Sequence, residues 1–135
     1  MVLCVCLDDR GGMRFNRRRQ SRDRAVCERI LALVRECGGT LYVCAESRPL
    51  FADGAKILPE PRDFSLLCEK DFFFAEDPSV LPPRGAVGRL IVYRWNRTYP
   101  FDRRFPTENF LPMLLEKTDF AGHSHEKITE EVYTR

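Results

Sequence analysis

Hydrophobic residues fall along the chain in short runs that predict β-strands. Residues 2–7 form a continuous apolar run that ends at Asp8 and Asp9, a pattern typical of a strand buried on both faces of a sheet. Similar runs predict strands at residues 41–45, 71–75, 89–95, 111–120 and 127–133, with a short extended segment at 56–58. Because most of these runs are continuous rather than alternating, we expect a sheet that is largely covered on both faces.

One segment has helical periodicity instead. Apolar residues recur at helical spacing over residues 26–37, and Gly38 follows as a signal that ends a helix. Ser21 is the predicted N-cap, and Asp23 lies in the expected first turn, where the helix dipole favours a carboxylate. A second, short helix is predicted after Asp63.

The segments between these elements lack periodicity. Residues 8–20 are predicted to form a long loop, and residues 96–109 an irregular segment. The chain of 135 residues is 44% hydrophobic and 31% charged, an ordinary globular balance at a length typical of one domain. Strands with interspersed helices predict a single α/β domain over residues 1–135, in which helices flank a central mixed β-sheet.

The first apolar run also bears on location. It is too short for a signal-peptide core or a membrane span, so we expect a cytoplasmic protein with no membrane partner. None of the six cysteines forms a CxxC pair. The sequence therefore predicts free thiols in a reducing compartment rather than a zinc knuckle or a redox dithiol.

Basic residues are concentrated in one stretch, although the net charge is only +2. Residues 10–24 contain seven arginines and one acid, Asp23. This stretch lies between a predicted strand and a predicted helix N-terminus, where α/β proteins bind anions, and a guanidinium matches phosphate with two parallel hydrogen bonds. Trp95 and Arg97 follow another predicted strand and together can stack against a ring. The predicted ligand-binding residues are Arg17, Arg18, Arg19, Ser21, Arg22, Trp95 and Arg97.

These features predict binding of a phosphate-bearing, nucleotide-like ligand, with or without its chemical conversion. Trp95 or Phe15 would stack on the ring of the ligand, and Asp23 would contact a ring nitrogen. Two alternatives stay open: an RNA-binding or RNA-processing protein, and a non-enzymatic adaptor that docks an acidic partner. A solvated basic loop without any ligand is a further interpretation. Neither GxxxxGK[ST] nor GxGxxG is present, so no phosphate-loop motif identifies the anion.

The order of these features resembles the dihydrofolate reductase family. The Gly12-Met13 pair matches a glycine-hydrophobic pair in the loop after the family's first strand, and Asp23 falls where the family keeps its substrate-binding carboxylate. Residues 102–106 read Asp-Arg-Arg-Phe-Pro, like the family's Asp-x-x-Phe-Pro turn, and the last two predicted strands resemble its closing hairpin. The resemblance implies a dihydrofolate reductase-like α/β architecture.

The chain departs from that family at the cofactor position. The family holds its nicotinamide cofactor with a Gly-Gly turn after a central strand, where this chain has Phe74, Ala75 and Glu76. A glutamate there would crowd and repel a pyrophosphate. The resemblance therefore implies the architecture without the dinucleotide site, and we predict that no cofactor is bound.

The whole chain is also similar to short bacterial proteins that carry the label ribonuclease Z. That activity uses a His-x-His-x-Asp-His zinc motif. The nearest segment here begins at His123 but has Lys127 and Ile128 in place of the aspartate and the last histidine. The residues do not support the label, and we predict no metal site.

If the chain is an enzyme, which the sequence leaves open, we expect acid–base chemistry. Asp23 and His125 are the predicted catalytic residues, since histidine is the side chain that exchanges protons near neutral pH. Ser124, His125 and Glu126 are the residue types of a catalytic triad, but adjacent residues cannot align for proton transfer. This segment therefore does not predict a serine hydrolase.

Overall fold

A mixed seven-stranded sheet forms the centre of the protein in the computed structural model, which describes residues 1–60, 62–110 and 113–134. In chain order the described elements are β1 (Val2–Leu7), β2 (Gly12–Phe15), β3 (Arg18–Arg19), α1 (Arg24–Cys37), β4 (Leu41–Val43), β5 (Lys56–Ile57), β6 (Phe72–Ala75), β7 (Arg89–Arg94), β8 (Arg103–Arg104), β9 (Met113–Phe120) and β10 (Ile128–Thr134). The main sheet has the order β5-β4-β6-β1-β7-β10-β9. Its first five strands are parallel, and β10 is antiparallel to both of its neighbours, β7 and β9. The predicted α/β class with a mixed sheet is confirmed.

Strand β1 lies at the centre of this sheet, as its continuous apolar run predicts. It pairs in parallel with β6 on one side and β7 on the other, so that Leu3 is opposite both Phe73 and Leu90. Val2 and Cys4 point to the face covered by α1, whereas Leu3 and Val5 belong to the core on the other face. Burial on both faces explains why the run carries no polar alternation.

Helix α1 packs Val26, Ile30 and Val34 against the sheet. Its N-cap is Asp23 rather than the predicted Ser21, because Asp23 has extended backbone angles and its carboxylate accepts from the Ala25 N–H at 2.8 Å. The helix ends as predicted at Gly38, whose φ of 70° is a left-handed conformation that glycine adopts without strain.

The predicted loop at residues 8–20 is wrong in its second half, where β2 and β3 form a hairpin. The two turn residues, Asn16 and Arg17, have φ values of 52° and 65°, as in the two-residue turns that suit twisted hairpins. Asn16 donates its N–H to Asp102 Oδ2 at 2.9 Å, and β2 also pairs with β8 in a second, three-stranded sheet. The hairpin was missed because arginine, not glycine, holds the second turn position.

Short 3-10 helices occupy several loops and lie on both sides of the sheet, since Leu50 and Phe51 belong to the core on the α1 face whereas Phe64 and Val87 belong to the core on the other face. They lie at Ala45–Leu50, Ala52–Gly54, Phe64–Leu66, Arg84–Ala86 and Thr107–Asn109. The one that follows Asp63 is the predicted short helix, and Asp63 caps it by accepting from the Ser65 N–H. The predicted final hairpin is present as β9 and β10, although Leu111, the expected first residue of its first strand, lies outside the described residues.

Within the described part of the chain, α1 and the shorter helical turns are all too short or too polar to cross a bilayer.

Candidate functional site

The predicted site residues gather where β1, β6 and β7 end. In a parallel sheet this is the edge at which ligands commonly bind, since loops and helix N-termini converge there. Cys6 lies near the end of β1, Glu76 follows β6, and Trp95 follows β7. The β2–β3 hairpin and the start of α1 lie against the same edge, so residues distant in sequence meet here.

Both carboxylate oxygens of Asp23 accept hydrogen bonds at this edge. Its side chain is buried and accepts five hydrogen bonds: from the N–H groups of Ala25, His123, Ser124 and His125, and from the His125 ring. Burial opposes ionisation of Asp23, but these donors outweigh it and lower the pKa of the carboxyl to about 2. Asp23 is therefore an anion that faces protein donors instead of a ligand, unlike the predicted contact with a ring nitrogen.

His125 is held on every side. Its Nδ1 lies 2.8 Å from Asp23 Oδ2, and its Nε2 lies 3.0 Å from both Ser21 Oγ and Tyr99 Oη. Because an ionised carboxylate only accepts, the Nδ1 hydrogen points to Asp23, which leaves Nε2 for the two hydroxyls. The ring also stacks on Trp95, with centroids 4.5 Å apart. The structure thus joins the two predicted catalytic residues, Asp23 and His125, to Ser21.

Two arginines of the basic stretch are used inside the protein. Arg19 forms two hydrogen bonds to Glu76, at 2.7 and 3.0 Å, and the hydroxyl of Ser47 donates to the same carboxylate at 2.6 Å. Arg14 is buried and contacts Glu46 at 3.2 Å. Arg19 was predicted to bind ligand, and its guanidinium instead binds the carboxylate of Glu76.

Three other arginines of the stretch remain exposed. Arg17 lies in the hairpin turn, Arg18 in β3, and Arg22 just before the N-cap of α1. Among the described residues, none of their guanidinium groups has a hydrogen-bond or ion-pair partner. All three lie within four residues of Ser21 in the sequence, and their side chains are exposed.

Trp95 and Arg97 lie on the other side of His125. Trp95 is only 3% exposed, so its indole packs on His125 instead of offering a free face to a ring. Arg97 is exposed and, with Lys127, lines an open cleft of about 440 Å³ whose floor is Trp95. This cleft adds two cations to the same edge of the sheet, and its opening also carries Glu126.

A small cavity lies between Ser21 and the strand ends. It has a volume of about 10 Å³, close to that of one water-sized sphere, and its lining includes Cys6, Gln20 and Glu76. Gln20 donates its amide to Asp8 and to the carbonyl of residue 100, while its buried Oε1 has no partner among the described residues. A lone buried acceptor beside a cavity marks a place for a hydrogen-bond donor.

Asp8 organises the loops next to this cavity, a role that the sequence did not predict. Its buried carboxylate accepts from the N–H groups of Arg10, Gly12 and Tyr99. Burial raises the pKa of Asp8, and the hydrogen bonds reverse the shift to give a lowered pKa. An aspartate at the end of a buried strand, four residues before a glycine, is the one sequence signal for this turn.

The two histidines do not converge. His123 is exposed and lies 2.9 Å from an Arg24 nitrogen, whereas His125 is buried against Asp23. In the described ranges, no group of three histidine, cysteine, aspartate or glutamate side chains has a geometry that could hold a metal ion.

Comparison with known proteins identifies the fold. No protein-family model matches the chain, and no curated protein matches it in sequence. Among solved structures, dihydrofolate reductase from Enterococcus faecalis, complexed with NADP(H) and RAB-propyl, superposes with a TM-score of 0.64. The match covers 99% of this chain and 95% of that chain at 11% sequence identity. The chain therefore has a dihydrofolate reductase-like fold, as the resemblance implied.

Proposed function

We propose that this chain, built on the dihydrofolate reductase-like fold, binds a phosphate-bearing ligand of nucleotide type at the arginine-rich edge of its sheet. The observation that carries the proposal is the trio Arg17, Arg18 and Arg22, whose exposed guanidinium groups have no partner among the described residues. Arginine forms paired, charge-assisted hydrogen bonds with phosphate oxygens, and three such groups suit a ligand with more than one phosphate.

Neighbouring ion pairs support this assignment because they hold the hairpin in place. Arg14 and Arg19 attach the hairpin to Glu46 and Glu76, so the exposed arginines extend from a fixed ribbon rather than a loose loop. A fixed ribbon loses less conformational entropy when it binds a ligand. Arg97 and Lys127, in the cleft beyond Trp95, provide further positive charge along the same edge.

The proposal does not include the nicotinamide cofactor named for the E. faecalis enzyme. At the turn after β6, the Glu76 carboxylate is 9% exposed and is bound to Arg19 and Ser47. A dinucleotide pyrophosphate approaching this turn would meet a negative charge that is already fixed in place. The ligand is therefore expected to contact the exposed arginines of the hairpin and of the segment before α1, and not the turn after β6.

RNA is a second candidate ligand, and the hairpin tip favours it. Phe15 is 46% exposed next to Arg17 and Arg18, so an aromatic ring and two cations share one exposed hairpin. Single-stranded nucleic acid is bound by this combination of stacking and phosphate contacts. The two candidates differ in how strongly salt weakens binding. For a single strand, the slope of log K against the logarithm of the salt concentration is about −0.7 per contacted phosphate.

Equilibrium binding of ATP, inorganic pyrophosphate and a single-stranded RNA oligonucleotide tests both candidates. Arg17→Gln, Arg18→Gln and Arg22→Gln combined should weaken binding by at least about tenfold, because each charge-assisted hydrogen bond contributes more than about 1 kcal/mol. Arg35→Gln, Lys56→Gln and Arg89→Gln make the same change in net charge at exposed positions elsewhere and should leave affinity within about twofold. Equal losses in both variants, or no binding at millimolar ligand, would contradict the proposal.

A further inference from the structure

We propose that Ser21 is a nucleophile that attacks carboxylic esters, with His125 as its general base and Asp23 as the residue that orients His125. The inference rests on the proposed function only in that the exposed arginines would hold an anionic part of the ester. It differs from the adjacent Ser124, His125 and Glu126, which do not predict a serine hydrolase, because the serine comes from the segment before α1.

Asp23, His125 and Ser21 are hydrogen-bonded to one another in that order. Asp23 Oδ2 lies 2.8 Å from His125 Nδ1, and His125 Nε2 lies 3.0 Å from Ser21 Oγ. A carboxylate in this position fixes the ring so that Nε2 faces the hydroxyl and can accept its proton. Burial follows the same order: the Asp23 side chain is 0% exposed, that of His125 3%, and Ser21 is half-buried. Ser21 is thus the most exposed of the three residues.

The small cavity beside Ser21 provides a separate observation. Ser21 lines it together with Gln20, whose buried Oε1 has no partner among the described residues. The Gln20 amide group faces two acceptors, so a flipped amide would lose both hydrogen bonds and is not an alternative. The residue next to Ser21 in the chain thus holds an acceptor without a donor, and both residues line the same cavity.

The reaction balances with the groups present and water. Ser21 Oγ bonds to the carbonyl carbon while its proton passes to His125 Nε2. Collapse of the tetrahedral intermediate breaks the ester C–O bond, and His125 returns the proton to the leaving alkoxide. Water then attacks the acyl-serine, His125 takes its proton and gives it to Ser21 Oγ, and the carboxylic acid leaves.

Tyr99 distinguishes this role from a structural one. Its hydroxyl also lies 3.0 Å from His125 Nε2, and a ring nitrogen has a single in-plane lone pair. The hydroxyls of Ser21 and Tyr99 therefore compete for the same acceptor. Removing the Tyr99 hydroxyl should give Ser21 sole use of Nε2 and should increase its reactivity by about twofold.

A neutral fluorophosphonate probe tests the nucleophile without using the arginines. Ser21 Oγ would form a bond to phosphorus, the P–F bond would break, and fluoride would leave. Mass mapping of the labelled wild-type protein should place the adduct on Ser21, so the assignment needs no variant to fold. Ser21→Ala should abolish labelling, while Ser65→Ala, at an exposed serine in the 3-10 turn after Asp63, should leave it unchanged.

His125→Gln should slow labelling by about 100-fold or more, and Tyr99→Phe should speed it. If His125→Gln does not fold, Tyr99→Phe alone decides. An unlabelled wild-type protein, an adduct on another residue, or Tyr99→Phe labelling at or below the wild-type rate overturns the inference. Labelling without nucleotide binding would refute only the proposed function, and nucleotide binding without labelling only this inference.

Discussion

His125 Nδ1 lies 2.8 Å from Asp23 Oδ2, although 102 positions separate the two residues in the chain. The same carboxylate caps α1 and accepts from three consecutive backbone N–H groups of the loop between β9 and β10. One side chain therefore joins the start of the helix to the last hairpin, so the integrity of the site and the stability of the fold are linked.

Asp23→Asn should destabilise the protein by about 3 kcal/mol, since an amide cannot accept all five hydrogen bonds and brings a donor against buried donors. Asp53→Asn, at a fully exposed aspartate, is the control and should change stability by less than about 0.5 kcal/mol. Chemical denaturation at neutral pH measures both, and equal stabilities would contradict the role given to Asp23.

The stability of the wild-type protein should also depend on Asp23 in acid. Its pKa is lowered from 3.8 to about 2 on folding, so the stabilisation is fully present above the unfolded pKa and is lost as pH falls towards 2. The shift corresponds to about 2 kcal/mol. Between pH 5 and pH 2 the free energy of unfolding should fall less for Asp23→Asn than for the wild type. If it falls equally in both proteins, ionisation of Asp23 does not contribute to stability.

Two adjacent arginines should respond differently to the same change. Arg19→Gln leaves the Glu76 carboxylate, 9% exposed, without its cation and should cost about 3 kcal/mol of unfolding free energy. Arg18→Gln removes an exposed cation and should cost less than about 0.5 kcal/mol. Thermal or urea unfolding measures the stability of both variants. An equal loss of stability would mean that the ion pair between Arg19 and Glu76 contributes nothing to the free energy of unfolding.

Gly122 should tolerate no side chain. A Cβ there would lie 2.7 Å from Asp23 Oδ2 and 2.5 Å from the backbone oxygen of His125, so Gly122→Ala should push the loop from the carboxylate and cost about 1–3 kcal/mol. Gly85→Ala is the control, since a Cβ there meets nothing within 4 Å. A Gly122→Ala protein as stable as Gly85→Ala would show that the loop is not held against Asp23.

The six cysteines should fall into distinct reactivity classes. Cys37 and Cys68 are exposed, whereas Cys4 and Cys27 are buried, and burial raises the pKa of Cys27 to about 11 and that of Cys4 still further. Because the thiolate is the reactive form, an aromatic disulfide reagent should modify Cys37 and Cys68 first in the native protein. Mass mapping before and after unfolding checks this order, and early modification of Cys4 would contradict the described core.

Local patterns were sufficient to predict much of the fold. The apolar run of β1 and the helical spacing of α1 with Gly38 after it depend on neighbours in the chain, and both elements lie where the sequence placed them. The β2–β3 hairpin does not follow from local preference, since Arg17 adopts a left-handed conformation that arginine seldom takes. Pairing of β2 with β8 and the hydrogen bond to Asp102 compensate for that conformation.

The sequence selected several residues that meet in the structure, but it did not predict the contacts between them. Asp23, His125 and Ser21 were each selected for their chemistry, but nothing in the sequence shows that they form one hydrogen-bonded chain. Arg19 was assigned to a ligand because its partner, Glu76, is 57 residues away. Tyr99 was missed as a partner of His125 for the same reason: contacts between distant segments depend on the order of strands in the sheet.

The most direct test of the central claim is an amide NMR titration of the labelled protein with ATP at moderate salt. The largest chemical-shift changes are expected on residues 15–24, with smaller changes at 95–99, and both should disappear when Arg17, Arg18 and Arg22 are changed together to glutamine. Changes confined to other regions, or unaltered by the triple substitution, would contradict an anion site at this edge of the sheet.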